Sequence, residues 1–396
     1  MPQLASNAYC TGCTACASAC PFNCISMEKD GYGFAHPAID AAACTGCGLC
    51  EKACPILTPL ECPDSLPQAF AAWSKDEAVR RDSSSGGIFT ELAGLILEEG
   101  GVAFGAAYSP SFEIIHICVE NKEDLAKLRG AKYAQSDMQG VFNQVKAQLK
   151  QGRKVLFSGT PCQVGGLKAY LKKPYDTLLT MDFVCHSVPS PMAWREYVAY
   201  RSRQENGGEL PAGINLRSKE SGWSHYRYSS LFEYRNGKRC LVRNADSLYM
   251  KLFVGGYINR ESCENCKFKG YQRVSDLTVG DFWGIWDILP EMDDNRGISV
   301  VLVQSEKGRI LWNSLRDRIC SREVTPEQAS RCNSAMLLPI KANANRETAL
   351  KKIQNGKIGA CEVFFSPGKQ GALSGIKRKL KRLLIAAYKK VSGQAV

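Results

Sequence analysis

The chain has 396 residues, which is enough for two or three domains. Apolar residues make up 44% and charged residues 23%, and no run of eighteen apolar residues occurs, so no transmembrane helix is predicted. The first ten residues lack both a basic start and an apolar stretch, so no signal peptide is expected and a reducing cytoplasm is the predicted setting. Nineteen cysteines against four histidines favour thiolate chemistry over His-rich zinc or copper sites.

Two cysteine motifs near the N-terminus have the same spacing. They read Cys10-x2-Cys13-x2-Cys16-x3-Cys20-Pro21 and Cys44-x2-Cys47-x2-Cys50-x3-Cys54-Pro55. This is the signature of a bacterial-type ferredoxin with two [4Fe–4S] clusters, in which the fourth cysteine of each motif ligates the other cluster. One cluster is therefore assigned to Cys10, Cys13, Cys16 and Cys54, and the other to Cys44, Cys47, Cys50 and Cys20. Paired zinc sites do not need this motif twice, so residues 1–58 are predicted to form a dicluster ferredoxin domain.

The elements that follow alternate between strands and helices. A hairpin is predicted around residues 31–40, and three prolines mark residues 59–67 as a linker. Apolar runs predict strands at 69–75, 102–109, 114–120, 154–159, 178–184, 275–285 and 297–304, with shorter strands within 214–256. Helices are predicted within 83–101 (with Ser83–Ser85 as its cap), 121–130, 138–153, 160–171, 190–204 and 305–315. This order favours an α/β core over 68–335, with a mixed, largely parallel sheet and flanking helices.

Four later cysteines can form a further site. Cys162 and Cys185 stand apart, whereas Cys263 and Cys266 form a CxxC pair. Spacing alone leaves open a third [4Fe–4S] cluster, a structural zinc, or buried core thiols at Cys162 and Cys185. The other cysteines occur singly and are predicted to be structural or spare thiols: Cys24, Cys62, Cys118, Cys240, Cys320, Cys332 and Cys361.

The C-terminal extension, 336–396, ends in a basic segment. From residue 363 onward there are eight Lys or Arg and no Asp or Glu, so this tail carries most of the net charge of +12. Residues 375–391 are predicted to form an amphipathic helix, which can dock on its own domain or lie on an anionic membrane surface or an acidic partner. Nucleic-acid binding is not expected, because the charge is confined to the tail and no recognition fold accompanies it.

Several phrases behind the ferredoxin motifs carry a family resemblance. They are SSSGGIFTELA, LRGAKYAQSD, FSGTPCQVGGL, CHSVPSP, CENCKFK and SDLTVGDFWGI. Together they resemble the coenzyme F420 hydrogenase/dehydrogenase β-subunit family over about residues 1–305. The resemblance implies an α/β core that binds FAD and a further [4Fe–4S] cluster, the latter at Cys162, Cys185, Cys263 and Cys266. No GxGxxG fingerprint occurs, so FAD rests on the resemblance.

Candidate residues for the flavin and the chemistry lie in these phrases. Phosphate binding is predicted at Ser84, Ser85, Gly86 and Gly87 before a helix, with ordinary helix capping as the alternative, and at Gly159 and Thr160 at a strand-to-helix turn. Lys132 and the adjacent Tyr133 are candidates to contact the cofactor, and Lys132 can pair with phosphate or with a reduced flavin. Asp281 and Trp283 can line the pocket, although core packing is the alternative for Trp283, and Asp281 is, with Lys132, also a candidate catalytic residue. His186 is a candidate proton donor, with a plain loop role as the alternative.

These expectations combine into one predicted function. Electrons from reduced ferredoxin or a partner subunit pass through [4Fe–4S] clusters to FAD, because a flavin converts one-electron into two-electron chemistry. The flavin then reduces a small organic acceptor. The alternatives are an F420-reducing or F420-oxidising β subunit, and a non-catalytic relay subunit of a larger hydrogenase or dehydrogenase complex. The predicted location is the cytoplasm, with the basic tail as a contact to the membrane periphery.

Overall fold

The computed structural model describes residues 1–366, which contain thirteen strands and twelve α-helices. The strands are β1 Ile25–Lys29, β2 Ala35–Ile39, β3 Gln68–Ser74, β4 Val102–Tyr108, β5 Ile114–Val119, β6 Val155–Gly159, β7 Leu178–Phe183, β8 Gly213–Ser218, β9 Ser229–Glu233, β10 Arg239–Arg243, β11 Leu277–Asp281, β12 Ser299–Val303 and β13 Ile319–Val324. The helices are α1 Ala15–Ala19, α2 Leu49–Lys52, α3 Glu77–Asp82, α4 Ile88–Glu98, α5 Val141–Lys150, α6 Pro161–Leu171, α7 Pro191–Asn206, α8 Leu248–Val254, α9 Ile285–Ile288, α10 Glu306–Ser314, α11 Pro326–Ser330 and α12 Arg346–Gln354.

An eight-stranded mixed sheet forms the centre of the molecule. Its strand order is β13-β3-β12-β11-β7-β6-β4-β5. The middle strands β11, β7, β6 and β4 are parallel to their neighbours within that group, and the outer pairings are antiparallel. The predicted α/β core with a mixed sheet is therefore confirmed, and its parallel part lies in the middle. The carboxyl ends of these four strands meet at one edge, where ligands of open α/β sheets collect.

Alternating side chains of the central strands face two apolar layers. In β6, Val155 and Phe157 pack with α5 and α6 on one face, whereas Leu156 packs with α4 on the other. This alternation follows from the two-residue period of a strand. With helices on both faces, the sheet is covered on both sides, which parallel strands require.

A second, three-stranded antiparallel sheet, in the order β10-β9-β8, packs beside α7 and α8. The sequence predicts short strands within 214–256 but not that they form a separate sheet. Its importance is positional, because β8 and the segment after it bring Arg217 and several aromatic rings to the edge of the large sheet.

The N-terminal head consists of α1, α2 and the β1–β2 hairpin. The predicted segment 31–40 supplies the turn and the second strand of that hairpin. Thr14 donates a hydrogen bond to the carbonyl of Met138, and Cys13 is buried in the same apolar layer as α5 and α6. The head therefore packs directly on the core.

Two local predictions are wrong. Ser83–Ser85 do not cap α4, because Gly87 takes that position with φ +90° and the Ser83 hydroxyl donates instead to the carbonyl of Val79. The helix predicted at 121–130 is only a short 3₁₀ segment, Asp124–Leu128.

The region after residue 335 remains attached to the core as far as residue 366. In α12 and the 3₁₀ segment Ile358–Phe365, Leu350, Ile353 and Cys361 are fully buried in the largest apolar cluster. The boundary placed at 335 stays a prediction. The predicted helix at 375–391 lies outside the described residues.

Candidate functional site

The head brings its eight motif cysteines together in two separate groups. One small cavity is lined by the first set, which consists of Cys10, Cys13, Cys16 and Cys54. Another is lined by the second set, which consists of Cys20, Cys44, Cys47 and Cys50. The grouping is the crossed one that the ferredoxin spacing predicts. Burial raises the pKa of Cys13 to about 12 and also raises that of Cys16, so these thiols need a cation to ionise.

Cys24 was interpreted as a spare or structural thiol, and the structure places it in the second set's cavity. Its Sγ lies 3.3 Å from Sγ of Cys20, and its side chain is buried. The sequence could not predict this position, because a cysteine four residues after Cys20 fits no ligand spacing. Only the fold brings Cys24 to the cavity.

The four later cysteines, named the core set, also come together. Cys162 lies in the first turn of α6, Cys185 follows β7, and Cys263 and Cys266 lie in and after the 3₁₀ segment Glu261–Cys263. Each thiol of the core set interacts electrostatically with the other three. The pKa values of Cys162, Cys185 and Cys263 are raised to about 12. Burial is the largest cause, and repulsion from the neighbouring thiols is a smaller one.

Two hydrogen bonds reach the sulfurs of the core set. The Thr160 hydroxyl lies 3.1 Å from Sγ of Cys162, and the backbone N–H of Val188 donates to Sγ of Cys263 at 3.3 Å. Within residues 1–366, no group of three or more His, Cys, Asp or Glu side chains is placed to hold a metal ion. A four-iron cluster instead takes its thiolates around the outside of a cube, and the core set offers four half-buried thiols, which is the number of donors that such a cluster uses.

One large cavity, of about 700 Å³, opens at the carboxyl edge of the central strands. The core set borders it through Cys162 and Cys185. Most of the residues predicted for cofactor binding or catalysis line it: Ser84, Ser85, Gly87, Lys132, Tyr133, Gly159, Thr160, His186, Asp281 and Trp283. Gly86 does not, because it is pressed against the sheet, where a Cβ would lie 2.3 Å from the carbonyl oxygen of Ala72.

The serines of the SSSGG segment hold this wall of the cavity in place. The Ser84 hydroxyl accepts a hydrogen bond from the N–H of Ala131 at 2.8 Å, and the Ser85 hydroxyl donates to the carbonyl of Ile298 at 2.6 Å. The Gly86 N–H donates to the Ser299 hydroxyl at 2.9 Å. These side-chain oxygens are therefore engaged with the protein, and the segment offers the cavity mainly its backbone.

Thr160 has two roles at the start of α6. Its hydroxyl accepts a hydrogen bond from the backbone N–H of Gln163, and the Thr160 N–H donates to Oε1 of Gln163, which forms a capping box. Pro161 occupies the first helical position. The strand-to-helix turn predicted from the sequence is thus rigid, and it fixes both Gly159 and Cys162 at the cavity.

Lys132 is turned back onto its own loop. Its Nζ donates to the carbonyls of Arg129 and Gly130, at 2.8 and 3.2 Å, and lies 5.7 Å from the centre of the Tyr108 ring. Burial lowers the pKa of Lys132 to about 7, since no carboxylate offsets the desolvation. At neutral pH the amine therefore exchanges a proton readily.

Asp281 is held by a buried arginine that sequence reasoning missed. Arg217 is 3% exposed and donates two hydrogen bonds to the Asp281 carboxylate and one to the Tyr133 hydroxyl. The guanidinium lies 3.9 Å from the centre of the Tyr228 ring and 5.3 Å from that of Trp283. No motif surrounds Arg217, so only the contact with Asp281 identifies it.

His186 and Trp283 line the cavity from the segments that follow the neighbouring strands β7 and β11. The His186 ring meets Phe253 edge-on at 5.2 Å, and burial lowers the pKa of His186, so the ring is neutral at neutral pH. Its Nε2 finds no hydrogen-bond partner in the part of the chain that the structure describes. Trp283 stacks on Trp223 at 4.8 Å and contacts Tyr226 at 4.3 Å, so it both packs and lines the cavity.

A second histidine, His116, also lines the cavity and was not a candidate. Its Nε2 donates to the carbonyl of Ser158 at 3.0 Å, so Nδ1 accepts from the Ser136 hydroxyl at 2.8 Å. Ser136 in turn accepts from Gln163 at 2.9 Å. Burial lowers the pKa of His116 to about 4, which keeps this ring neutral.

Comparison with known proteins identifies each part of the chain. The 4Fe-4S dicluster domain model matches residues 9–56, and the models for the coenzyme F420 hydrogenase/dehydrogenase β subunit match residues 69–143 (N-terminal part) and 152–328 (C-terminal part). Together the latter two cover well over half of the chain. A search of curated proteins gives no significant match.

Among solved structures, the chain is similar to one from the F420-reducing [NiFe] hydrogenase complex of Methanosarcina barkeri. The identity is 16%, the match covers 77% of this chain and 94% of that chain, and the TM-score is 0.46. Within residues 1–366, no helix has both the length and the apolar character needed to cross a membrane. On the family matches, this chain is an iron–sulfur protein that belongs to the coenzyme F420 hydrogenase/dehydrogenase β-subunit family and carries an N-terminal 4Fe-4S dicluster domain.

Proposed function

We propose that this protein is an iron–sulfur flavoprotein oxidoreductase, in which electrons from ferredoxin or a partner subunit reach a two-electron organic acceptor through three [4Fe–4S] clusters and FAD. The observation that carries the proposal is the position of the core set. Cys162 and Cys185 border the same cavity as Lys132, Arg217 and Trp283. Thiol donors and a cofactor-sized cavity are thus adjacent.

The cavity fits a flavin in size and in polarity. Its volume of about 700 Å³ lies within the range usual for cofactor sites, roughly 300–1,000 Å³. Among residues 1–366, three buried polar atoms on residues that line it have no hydrogen-bond partner: Nε of Arg217, Nε2 of His186 and Oδ1 of Asn244. Buried polar groups are normally paired, so these atoms support a polar ligand at this place.

Several residues would hold the flavin. Gly87 and the backbone of Ser84 and Ser85 would approach its phosphates, while Gly159 and Thr160 would contact it from the turn before α6. When bound, FAD exchanges electrons singly or in pairs. Trp283 and Tyr133 supply apolar walls, and Lys132 in its protonated form would favour an anionic ligand, whereas the charge of Arg217 is paired with Asp281.

Two groups can move protons at the cavity. Lys132, with its pKa near 7, can donate a proton from Nζ, and His186 carries an unpartnered Nε2. Asp281 is unsuited to general-base work, because its carboxylate is occupied by Arg217. Its role in this proposal is to orient Arg217, and the catalytic role predicted for Asp281 stays a prediction.

A second candidate follows from the family description, which names coenzyme F420. The acceptor would then be F420, or the chain would relay electrons within a hydrogenase or dehydrogenase complex. The cavity favours an enzyme over a pure relay, since a relay needs no space beside the core set. The basic tail as a contact to an anionic membrane or an acidic partner stays a prediction.

The test is chemical analysis of protein purified without oxygen. We expect about twelve irons, twelve sulfides and one FAD per chain, the sum for three four-iron clusters. Cys266→Ser should remove about four irons, whereas Cys240→Ser, at a partly buried thiol outside the three sets, should remove none. About eight irons in the wild-type protein and no flavin would overturn the proposal and leave only the dicluster head.

A further inference from the structure

Arg260 links the ferredoxin head to the core. Its side chain is 2% exposed, and its Nε donates to the carbonyl of Cys10 at 2.8 Å. Nη2 donates to the carbonyl of Ala35 at 2.9 Å, and Nη1 donates to Oε1 of Gln135 at 2.9 Å. One guanidinium thus holds two backbone groups of the head and one side chain of the core.

None of these partners is anionic. A fourth neighbour, Nδ1 of His36, lies 3.2 Å from Nη2 and must accept, because a guanidinium only donates. Burial and then the charge of Arg260 lower the pKa of His36, so the ring is neutral at neutral pH. Asp30 lies 3.5 Å from the far nitrogen of His36 and does not pair with Arg260. Within residues 1–366, no carboxylate forms an ion pair with Arg260, and a buried cation without such a pair is costly, so a nearby anion is expected.

The thiol sets on either side of Arg260 can supply that anion. The guanidinium is bonded to the backbone of Cys10, which belongs to the first set, and its charge acts on Cys162 and Cys263 of the core set. Four thiolates around a four-iron centre give a site whose potential depends on nearby charge and hydrogen bonds. Arg260 is therefore placed between two such sites.

The first set is also the one that touches the core. A Cβ built on Gly166 would lie 2.8 Å from Sγ of Cys13, so this thiol packs on α6. Gly166 is about one helical turn, roughly 6 Å, from Cys162. Cys20, Cys44 and Cys50 of the second set instead pack with apolar residues of the head, and Cys47 in that set is exposed.

We propose that Arg260 is a positioning residue that holds the first set against the core set. Electrons would then pass through the three sets in one fixed order. This inference rests on the proposed function. With clusters bound, each electron given up by a reduced one-electron donor would reach the second set, which contains the exposed Cys47, then the first set and then the core set. Two such transfers serve one two-electron acceptor, and no bond in the protein forms or breaks.

The experiment is an anaerobic redox titration of the full-length holoprotein, monitored by electron paramagnetic resonance. The proteins compared are the wild type, Arg260→Gln, Arg260→Lys and Gln135→Glu. The control is Arg201→Gln, since Arg201 is also buried but lies on α7 beside Glu205. We expect Arg260→Gln to lower the potentials of the first and core sets and to leave that of the second set unchanged. Arg260→Lys should restore part of the shift, because it keeps the charge.

Gln135→Glu covers the case in which Arg260→Gln fails to fold. It keeps Arg260 but neutralises its charge with an adjacent carboxylate, so the same two potentials should fall. Unchanged potentials in samples with full iron, or an equal shift at all three sets, would overturn the inference. Iron is measured in each sample. A wild type with about eight irons would overturn the proposed function. In that case the shift in the reduction potential of the first set would still test the role of Arg260.

Discussion

The guanidinium of Arg217 and the carboxylate of Asp281 form two parallel hydrogen bonds, of 2.8 and 2.7 Å, at the edge of the cavity. Arg217 ends up there through β8 of the small sheet, whereas Asp281 is the last residue of β11 in the large one. The Trp223 indole N–H also reaches the same carboxylate, at 3.3 Å. This ion pair therefore ties the two sheets together and sets the wall on which Trp283 and Tyr133 lie.

Asp281→Asn should destabilise the core. It leaves Arg217 buried without a counter-charge, and removing one partner of a buried ion pair typically costs about 3–5 kcal/mol. Because the Asp281 side chain is 18% exposed, we expect a loss of unfolding free energy near the lower end of that range. Chemical denaturation followed by tryptophan fluorescence measures it.

The matched control is Glu233→Gln, which breaks the exposed pair with Arg239. Water screens that pair, so the denaturation midpoint should hardly move. An equally small effect of Asp281→Asn would show that Arg217 is solvated and that the pair does not hold the cavity wall.

Thr160→Val should lower the reduction potential of a cluster on the core set. The Thr160 hydroxyl lies 3.1 Å from Sγ of Cys162, and a ligated thiolate can only accept its hydrogen bond. Hydrogen bonds to the sulfurs favour the reduced, more negative state of a cluster, so their loss disfavours reduction. An anaerobic redox titration measures the shift.

Thr160→Ser keeps the hydroxyl and serves as the control, with a potential close to that of the wild type. The valine variant also loses the cap of α6, at about 1 kcal/mol. Full iron content with an unaltered potential in Thr160→Val would mean that this hydroxyl only caps the helix.

Gly166→Ala should loosen the head from the core. The new Cβ would lie 2.8 Å from Sγ and 3.0 Å from Cβ of Cys13, and the helix leaves it no room to move away. We expect faster proteolytic cleavage between residues 59 and 67, the predicted linker, measured by the appearance of the separated head.

Gly94→Ala is the matched control within a helix. Nothing lies within 4 Å of the Cβ that it adds to α4, so it should stabilise the chain by about 0.5–1 kcal/mol. Equal cleavage rates in both variants would show that the contact between Cys13 and α6 does not hold the head.

Lys132→Met should change how stability depends on pH. The pKa of Lys132 is about 7 in the folded chain against an ordinary value of 10.5, because the amine is buried. Between pH 7 and 10.5 the unfolded chain binds more protons at this site, so Lys132 makes the folded state more stable as pH rises. The wild type should therefore gain stability over this range relative to Lys132→Met.

Melting temperatures at several pH values between 7 and 10 test this difference. Lys127→Met, at an exposed neighbour, should keep the slope of the wild type. Parallel curves for wild type and Lys132→Met would show that the Lys132 amine has its ordinary pKa.

Short-range patterns allowed much of this protein to be predicted from its sequence. Three cysteines of each ferredoxin motif lie within seven residues, so Cys10, Cys13 and Cys16 must share one site in any fold of that loop. Thr160, Pro161 and Gln163 likewise specify a helix start locally. The alternation of strands and helices along the chain predicted the α/β class, and the apolar runs of the central strands fit a sheet that is covered on both faces.

Long-range contacts decided the rest. Arg217 and Arg260 stand in no motif, and their roles come from partners 64 and 250 residues away, Asp281 and Cys10. The placing of Cys24 beside Cys20, and the use of Gly87 rather than the serines to start α4, also depend on what packs against them. The local sequence shows which residues have suitable side chains. Burial and charge pairing decide which of them act, and these two properties arise only when distant segments come together in the fold.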